Sequence, residues 1–471
     1  MKILYVSSEA CPFAKSGGLA DVAGALPKAL RKRMVGCRVV MPLYKSIGED
    51  MRRNMQYLFN ITVPVSWRNQ YCGVFEAKQD GVIYYLIDNE YYFKRDGLYG
   101  HYDDAERFAF FSRAVLEILP HIDYKPDIIH CNDWQTAAIP VYLNAYYREN
   151  PLYRNIKTVY TIHNIQYQGK FGMEIAGDVY GFPESAHSVI EFDDCLNLTK
   201  GAIQSADAVT TVSPTYSLEI LTPYYSYGLD KILNPCRNKL FGIVNGIDYD
   251  IYNPETDNLI PAVFSSEDIS GKAKCKAALQ QELSLNSDEN TCIIGMVSRL
   301  VEHKGFDLVK AAFDDIMGRN VQVVILGTGE YALENYFTEK AKQYPGRVAV
   351  VLKFDEALAH RIYAGSDVFL MPSRSEPCGL SQLIALRYGT IPIVRKTGGL
   401  NDTVTDSGDN SGNGFTFGDY NAEELKRAVW RATEGFADNK GWQVLMSRAM
   451  KTDNSWKKSA GEYIKLYKSI L

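Results

Sequence analysis

At 471 residues the chain is too long for one ordinary domain and suits two or three. Apolar residues make up 46% and charged residues 23%, which excludes a disordered or fibrous protein. The 51 basic and 56 acidic residues leave a net charge of −5, so no global field draws the chain to nucleic acid or to an anionic membrane.

The first apolar run, residues 3–6, is too short for the core of a secretion signal, and no later segment approaches the ~20 apolar residues that span a bilayer. The nine cysteines are scattered and never spaced Cys-x-x-Cys, which excludes a disulfide framework or a zinc site. A reduced, soluble, cytoplasmic protein is expected. Further β-rich runs follow at 39–43, 83–87, 127–130, 158–162, 208–212 and 241–244, then at 292–297, 321–326, 348–352, 368–371 and 391–394. Between them lie helical stretches such as 304–317, with Phe306, Val309, Phe313 and Ile316 on one face. Continuous apolar runs alternating with helices predict parallel strands covered on both sides, hence doubly wound α/β sheets. The pattern breaks once, between Asn245 and about Ser287, in a stretch rich in Asn, Asp, Pro and Gly. Two Rossmann-like domains facing a cleft are expected, 1–248 and 249–455, followed by an amphipathic helix carrying Trp456, Ala460, Tyr463, Tyr467 and Ile470.

Ligands of such sheets gather beyond the carboxyl ends of the strands, so those positions hold the candidates. After the first strand comes KSGGLAD, with Lys15, Gly17, Gly18 and Asp21. Paired glycines at a helix start suit phosphate, and Lys15 adds a charge; the alternative is a plain turn with a solvated lysine. HCNDW carries Asp133 and Trp134, a carboxylate and a ring face suited to a sugar. TIHNIQYQG carries His163 and Asn164, with His163 placed to donate a hydrogen bond to a reacting sugar or to serve as a core histidine. In the second half, SRLVEHKG brings Arg299 and Lys304 to one strand end, as a diphosphate clamp or as surface partners of Glu302. SRSEPCGLSQL carries Glu376, Cys378 and Gly379, and KTGGL carries Thr397, Gly398 and Gly399. Glu376 reads either as a substrate ligand or as a helix-end charge. Asp248 and Asp250 match the letters of an Asp-x-Asp cation motif but sit among turn residues, and they are read as turn formers.

Together these runs resemble the bacterial glycogen synthases and plant starch synthases that use ADP-glucose. KSGGLAD, the Asp-Trp pair, YTIHNIQYQG, IVNGID, SRLxxxKG, EPCGLSQL and TGGLNDTV occur in order from residue 15 to 404. The resemblance implies the GT-B fold, with the C-terminal helix returning to the N-terminal domain. It also implies retaining transfer of glucose from ADP-glucose to the non-reducing end of an α-1,4-glucan such as glycogen, with no metal, cofactor or protein partner. Lys15 would then lie at the donor nucleotide. Arg299 and Lys304 would stabilise the departing diphosphate, and Glu376 and His163 would hold the glucosyl group. Asp133, Trp134 and Asn245 would line the sugar side, and Cys378, Gly379 and the turn of Thr397, Gly398 and Gly399 would meet glucose or phosphate. Two positions depart from related patterns. His303 stands where the family has Gln, and Ile384 replaces the second acid of the Glu-x7-Glu motif found in many other retaining GT-B enzymes. Three other readings remain open from residues alone: a UDP-glucose transferase, a glucan phosphorylase, for which no pyridoxal-phosphate lysine motif is seen, and a silent glucan-binding module.

Overall fold

The computed structural model describes residues 1–408 and 411–471. These form two compact units, Met1–Asn245 with Trp456–Leu471, and Gly246–Ser455. The division falls after Asn245 rather than after residue 248. The amide of Ile247 bonds the carbonyl of Asn454 and so ties the chain from Gly246 onward into the second unit.

The first unit contains β1 (Lys2–Val6), β2 (Gly36–Pro42), β3 (Gln56–Val65), β4 (Arg68–Gln79), β5 (Val82–Asp88), β6 (Ile128–Asn132), β7 (Lys157–Ile162), β8 (Lys170–Gly172), β9 (Glu191–Phe192), β10 (Cys195–Asn197), β11 (Ala208–Thr211) and β12 (Leu240–Gly242). Its main sheet runs β12-β11-β7-β6-β1-β2-β5-β4-β3, while β8, β10 and β9 form a small separate sheet. Every neighbouring pair from β12 to β5 is parallel, as continuous burial of Ile3, Leu4, Tyr5 and Val6 requires. The β3–β4 hairpin is antiparallel and ends the sheet. It leaves no continuous apolar run in the sequence because much of β3 faces solvent at the edge.

The second unit contains β13 (Cys292–Val297), β14 (Val321–Leu326), β15 (Val348–Val351), β16 (Val368–Met371), β17 (Ile391–Arg395) and β18 (Phe415–Phe417), all parallel, in the order β15-β14-β13-β16-β17-β18. The expected helix over 304–317 starts later, at Phe306. Gly305, at φ 83°, interrupts it after a single 3-10 turn, because a Cβ there would lie 2.2 Å from the Pro372 carbonyl oxygen.

The helix Trp456–Ile470 belongs to the first unit. Trp456, Ala460, Tyr463, Leu466 and Tyr467 are buried in that unit's core, and the Tyr467 hydroxyl meets His130 Nδ1 at 2.7 Å. Among the described residues no helix is long and apolar enough to cross a membrane.

Each main sheet reverses its winding at one place. In the first, β1 lies between β2 and β6; in the second, β13 lies between β14 and β16. Chains leaving two such strands diverge to opposite faces and open a crevice at their carboxyl ends. The candidate residues fall largely at these two places.

Candidate active site

In the first unit, the segment after β1 folds back on itself through Glu9. The Glu9 carboxylate is buried and accepts both the amide and the hydroxyl of Ser16, each at 2.6 Å. Burial raises its pKa, and the Ser16 bonds oppose that shift. Gly17 caps the helix Gly18–Lys32, and Lys15 pairs with Asp21 in its first turn at 2.7 Å. Lys15, Ser16 and Gly18 stay exposed, so the turn presents its polar groups to solvent with Lys15 held in an ion pair.

β6 runs two residues further than the apolar run 127–130 and places Asn132 inside the sheet. Asp133 follows with φ 56°, which turns the chain sharply and aims its carboxylate at β7. Asp133 Oδ1 accepts the His163 amide at 2.8 Å. Burial pushes the Asp133 carboxyl up to about 7, while the amides of His163 and Asn164 pull it down. The His163 ring meets Asn132 Oδ1 through Nε2 at 2.9 Å, and burial holds its pKa down to about 3. The imidazole is therefore neutral near pH 7.

His163, expected to hold a sugar, is itself held by two neighbours. Its amide is taken by Asp133 and its Nε2 by Asn132, which leaves Nδ1 and the main-chain carbonyl to meet a ligand. Asn164 forms a turn, its side-chain oxygen accepting the Gln166 amide at 3.0 Å. Trp134 packs edge-on against Phe108 and Phe171, and it shares a recess of about 420 Å³ with Gln166, Tyr167, Lys170 and Tyr227. Gly169, at φ 64°, is required there, since a Cβ would lie 2.8 Å from the Trp134 ring. Asn245 is buried, with its side-chain oxygen unpartnered among the described residues.

In the second unit, Lys304 and Glu376 come from the two loops that flank the reversal. Lys304 Nζ donates to both carboxylate oxygens of Glu376, at 2.9 and 2.7 Å, and the Ser373 hydroxyl donates to one of them at 2.9 Å. Glu376 is only 5% exposed and is thus a fixed, partnered charge rather than a helix-end one; the next helix, Ser381–Arg387, begins five residues on. The Thr397 turn is locked to the same loop. The Gly399 amide donates to the Glu376 carbonyl at 3.1 Å, and Cβ atoms on Gly398 and Gly399 would lie 2.0 and 2.1 Å from the carbonyl oxygens of Glu376 and Cys378. Cys378 is buried, and Gly379 takes φ 72°. Two motifs 20 residues apart are therefore one interlocked surface, which spacing alone does not reveal.

Arg299 lies exposed after β13 and makes no side-chain hydrogen bond or ion pair among the described residues. Its charge and that of Lys304 both depress the pKa of His303, after burial, so the two cations act on one neighbourhood. Glu302 pairs with Arg374 at 2.7 Å instead of with Arg299 or Lys304. The loop after β14 packs onto this one. A Cβ on Gly327 would lie 1.9 Å from the Ser298 carbonyl oxygen, and one on Gly329 would lie 2.1 Å from that of Leu300.

Four residues escaped the sequence reading. Glu9, Asn132 and Ser373 act through hydrogen bonds that no spacing shows. The fourth, Phe354, lies just past β15 with 83% of its surface exposed, and its signal was a lone aromatic in the polar run KFDEA. Asp248 accepts the Asp250 amide at 2.9 Å in a turn.

Comparison with known proteins adds independent information. Residues 2–235 match the starch synthase catalytic domain family, and residues 280–437 match the glycosyl transferases group 1 family. A glycogen synthase of Bacillus cereus is 52% identical, with 100% of each chain covered. One of Geobacillus stearothermophilus is 49% identical over 100% of this chain and 98% of its own. Among solved structures, the catalytic domain of starch synthase IV from Arabidopsis thaliana, bound to ADP and acarbose, superposes with a TM-score of 0.93 at 35% identity, covering 100% of this chain and 99% of that one. Sucrose-phosphate synthase from Thermosynechococcus elongatus, at 18% identity and a TM-score of 0.61, shares the fold. Two parallel Rossmann-like units, the interlocked Lys304–Glu376 surface and full-length identity near one half agree, and the chain belongs to the glycogen synthase and starch synthase family of GT-B glycosyltransferases.

Proposed function

We propose that this protein is a glycogen synthase that moves glucose from ADP-glucose to the non-reducing 4-hydroxyl of an α-1,4-glucan, with retention at the anomeric carbon. The observation that carries the reading is the Lys304–Glu376–Ser373 cluster at the reversal of the second sheet. When the anomeric C–O bond breaks, negative charge grows on the departing diphosphate. Lys304 is a cation fixed before the reaction by Glu376, the arrangement that stabilises such charge most effectively, and the exposed Arg299 adds a second positive charge beside it. Glu376 accepts hydroxyl hydrogens of the glucosyl group, and the turn of Thr397, Gly398 and Gly399 holds its loop in place.

Phe354, an exposed ring past the carboxyl end of β15 in the same sheet, is the aromatic face available to the adenine. ADP bound to the Arabidopsis starch synthase supports a nucleoside diphosphate here. Lys15 serves the donor, and Asp21 holds it until the donor binds. On the glucan side, Asp133, Trp134 and the His163 acceptor groups meet hydroxyls and a ring face, and the Arabidopsis enzyme's acarbose is a ligand of matching chemistry. Nine cysteines, all unbonded, suit a reducing cytoplasm.

The test is incorporation of labelled glucose into glycogen from ADP-glucose and from UDP-glucose in parallel. Incorporation from ADP-glucose supports the reading. Incorporation from UDP-glucose alone replaces the donor, and release of free glucose without polymer rejects the transferase assignment.

A further inference from the structure

We infer that Asn132 is a positioning residue that fixes His163 as a hydrogen-bond acceptor toward the substrate. The inference rests on the transferase reading above and goes one step deeper into its sugar side. Asn132 is fully buried at the end of β6, where the first sheet reverses. Its amide nitrogen donates to the Val6 carbonyl at 2.9 Å, which settles the orientation of the group, since the opposite orientation would set two carbonyl oxygens face to face. Its oxygen therefore points the other way and receives the Tyr5 hydroxyl at 2.9 Å and His163 Nε2 at 2.9 Å.

An oxygen that only accepts demands a proton on Nε2. The neutral ring then carries its lone pair on Nδ1, so a substrate hydroxyl can donate to His163 but cannot accept from its ring. One buried amide thereby spans the ends of β1, β6 and β7. The ring's direction is held by the sheet rather than by the loop that bears it.

The experiment reads the ring nitrogens directly. In ¹⁵N-labelled protein the His163 signals are those lost in a His163→Gln variant, among the seven histidines of the chain. The wild type should show the proton on Nε2 from about pH 5 to about pH 8. Asn132→Ala should let the proton exchange between the two nitrogens and lower kcat about tenfold, with the KM for ADP-glucose nearly unchanged. Asn132→Asp still offers an oxygen to Nε2. It should keep the tautomer but raise the ring's pKa, so that activity falls on the acid side. Tyr5→Phe removes only the other donor on that oxygen and should leave the tautomer in place.

A wild-type proton on Nδ1, or an Asn132→Ala enzyme with an unchanged tautomer and turnover, overturns the assignment. If Asn132→Ala fails to fold, the wild-type and Asn132→Asp spectra decide it. The spectrum does not depend on the sugar nucleotide used, so a chain inactive with ADP-glucose rejects the functional reading while the tautomer still tests Asn132.

Discussion

The two units repeat one topological device and fill it with opposite electrostatics. At the β1/β6 reversal the buried ionisable groups are pushed toward neutrality, since burial raises Glu9 and Asp133 and lowers His163, and the charged Lys15–Asp21 pair lies at the surface. At the β13/β16 reversal the charges are kept, as a cation bonded to both oxygens of a carboxylate beside an exposed arginine. Neutral, directed hydrogen-bonding groups suit sugar hydroxyls, and fixed charges suit a diphosphate. A shared fold does not imply a shared ligand, and the proposed division of substrates between the units rests on the side chains at the strand ends.

The sharpest way to break this comparison is to remove charge from the second unit. Lys304→Ala should lower kcat by about 10² or more, because a preorganised cation acts mostly in the transition state. Glu376→Ala should fall comparably and Glu376→Gln less, since the amide keeps part of the hydrogen bonding. Full turnover in either Glu376 variant, with folding confirmed by circular dichroism, would reduce the cluster to a structural ion pair. Phe354→Ala should mainly raise the KM for ADP-glucose, by about tenfold, as loss of a stacking face does. An equal fall in kcat would place Phe354 nearer the chemistry.

The first unit should respond to pH instead. Asp133 is held near 7 when folded but returns to about 3.9 when unfolded. Its ionisation therefore opposes folding progressively between those values and fully above them. Asp133→Asn should raise Tm by a few degrees near pH 8 and have little effect near pH 4, as calorimetry would show. His130 and His163 are both held near 3 and return to about 6.5 on unfolding, so stability should drop as the pH falls from about 6.5 toward 3. Replacing either histidine with Gln should flatten that slope. The smallest effect expected is that of Tyr467→Phe, which loses one buried hydrogen bond to His130, worth about 1 kcal/mol, and should lower Tm by about 2–4 °C.

The parallel core was legible in the sequence because its strands are buried on both faces, as Ile3 to Val6 and Val321 to Leu326 show. The β3–β4 hairpin was not, because an edge pair half in water leaves no continuous run. Lys304, Glu376 and the Thr397 turn could be singled out as strand-end polar groups. Their mutual bonding could not, since it depends on Gly398 and Gly399 lacking a Cβ, which would lie 2.0–2.1 Å from the carbonyl oxygens of Glu376 and Cys378, a closeness made only in three dimensions. The surroundings of His163 were not legible for a related reason: its Nε2 is bonded to Asn132, a residue 31 positions earlier on another strand.

The most direct test of the division between units is a pair of binding titrations on the full chain, ADP and a malto-oligosaccharide, against Lys304→Ala and Trp134→Ala. The expected result is crossed. Lys304→Ala should weaken ADP by about tenfold or more and leave the oligosaccharide unchanged, while Trp134→Ala does the reverse. Equal losses for both ligands in both variants would contradict it.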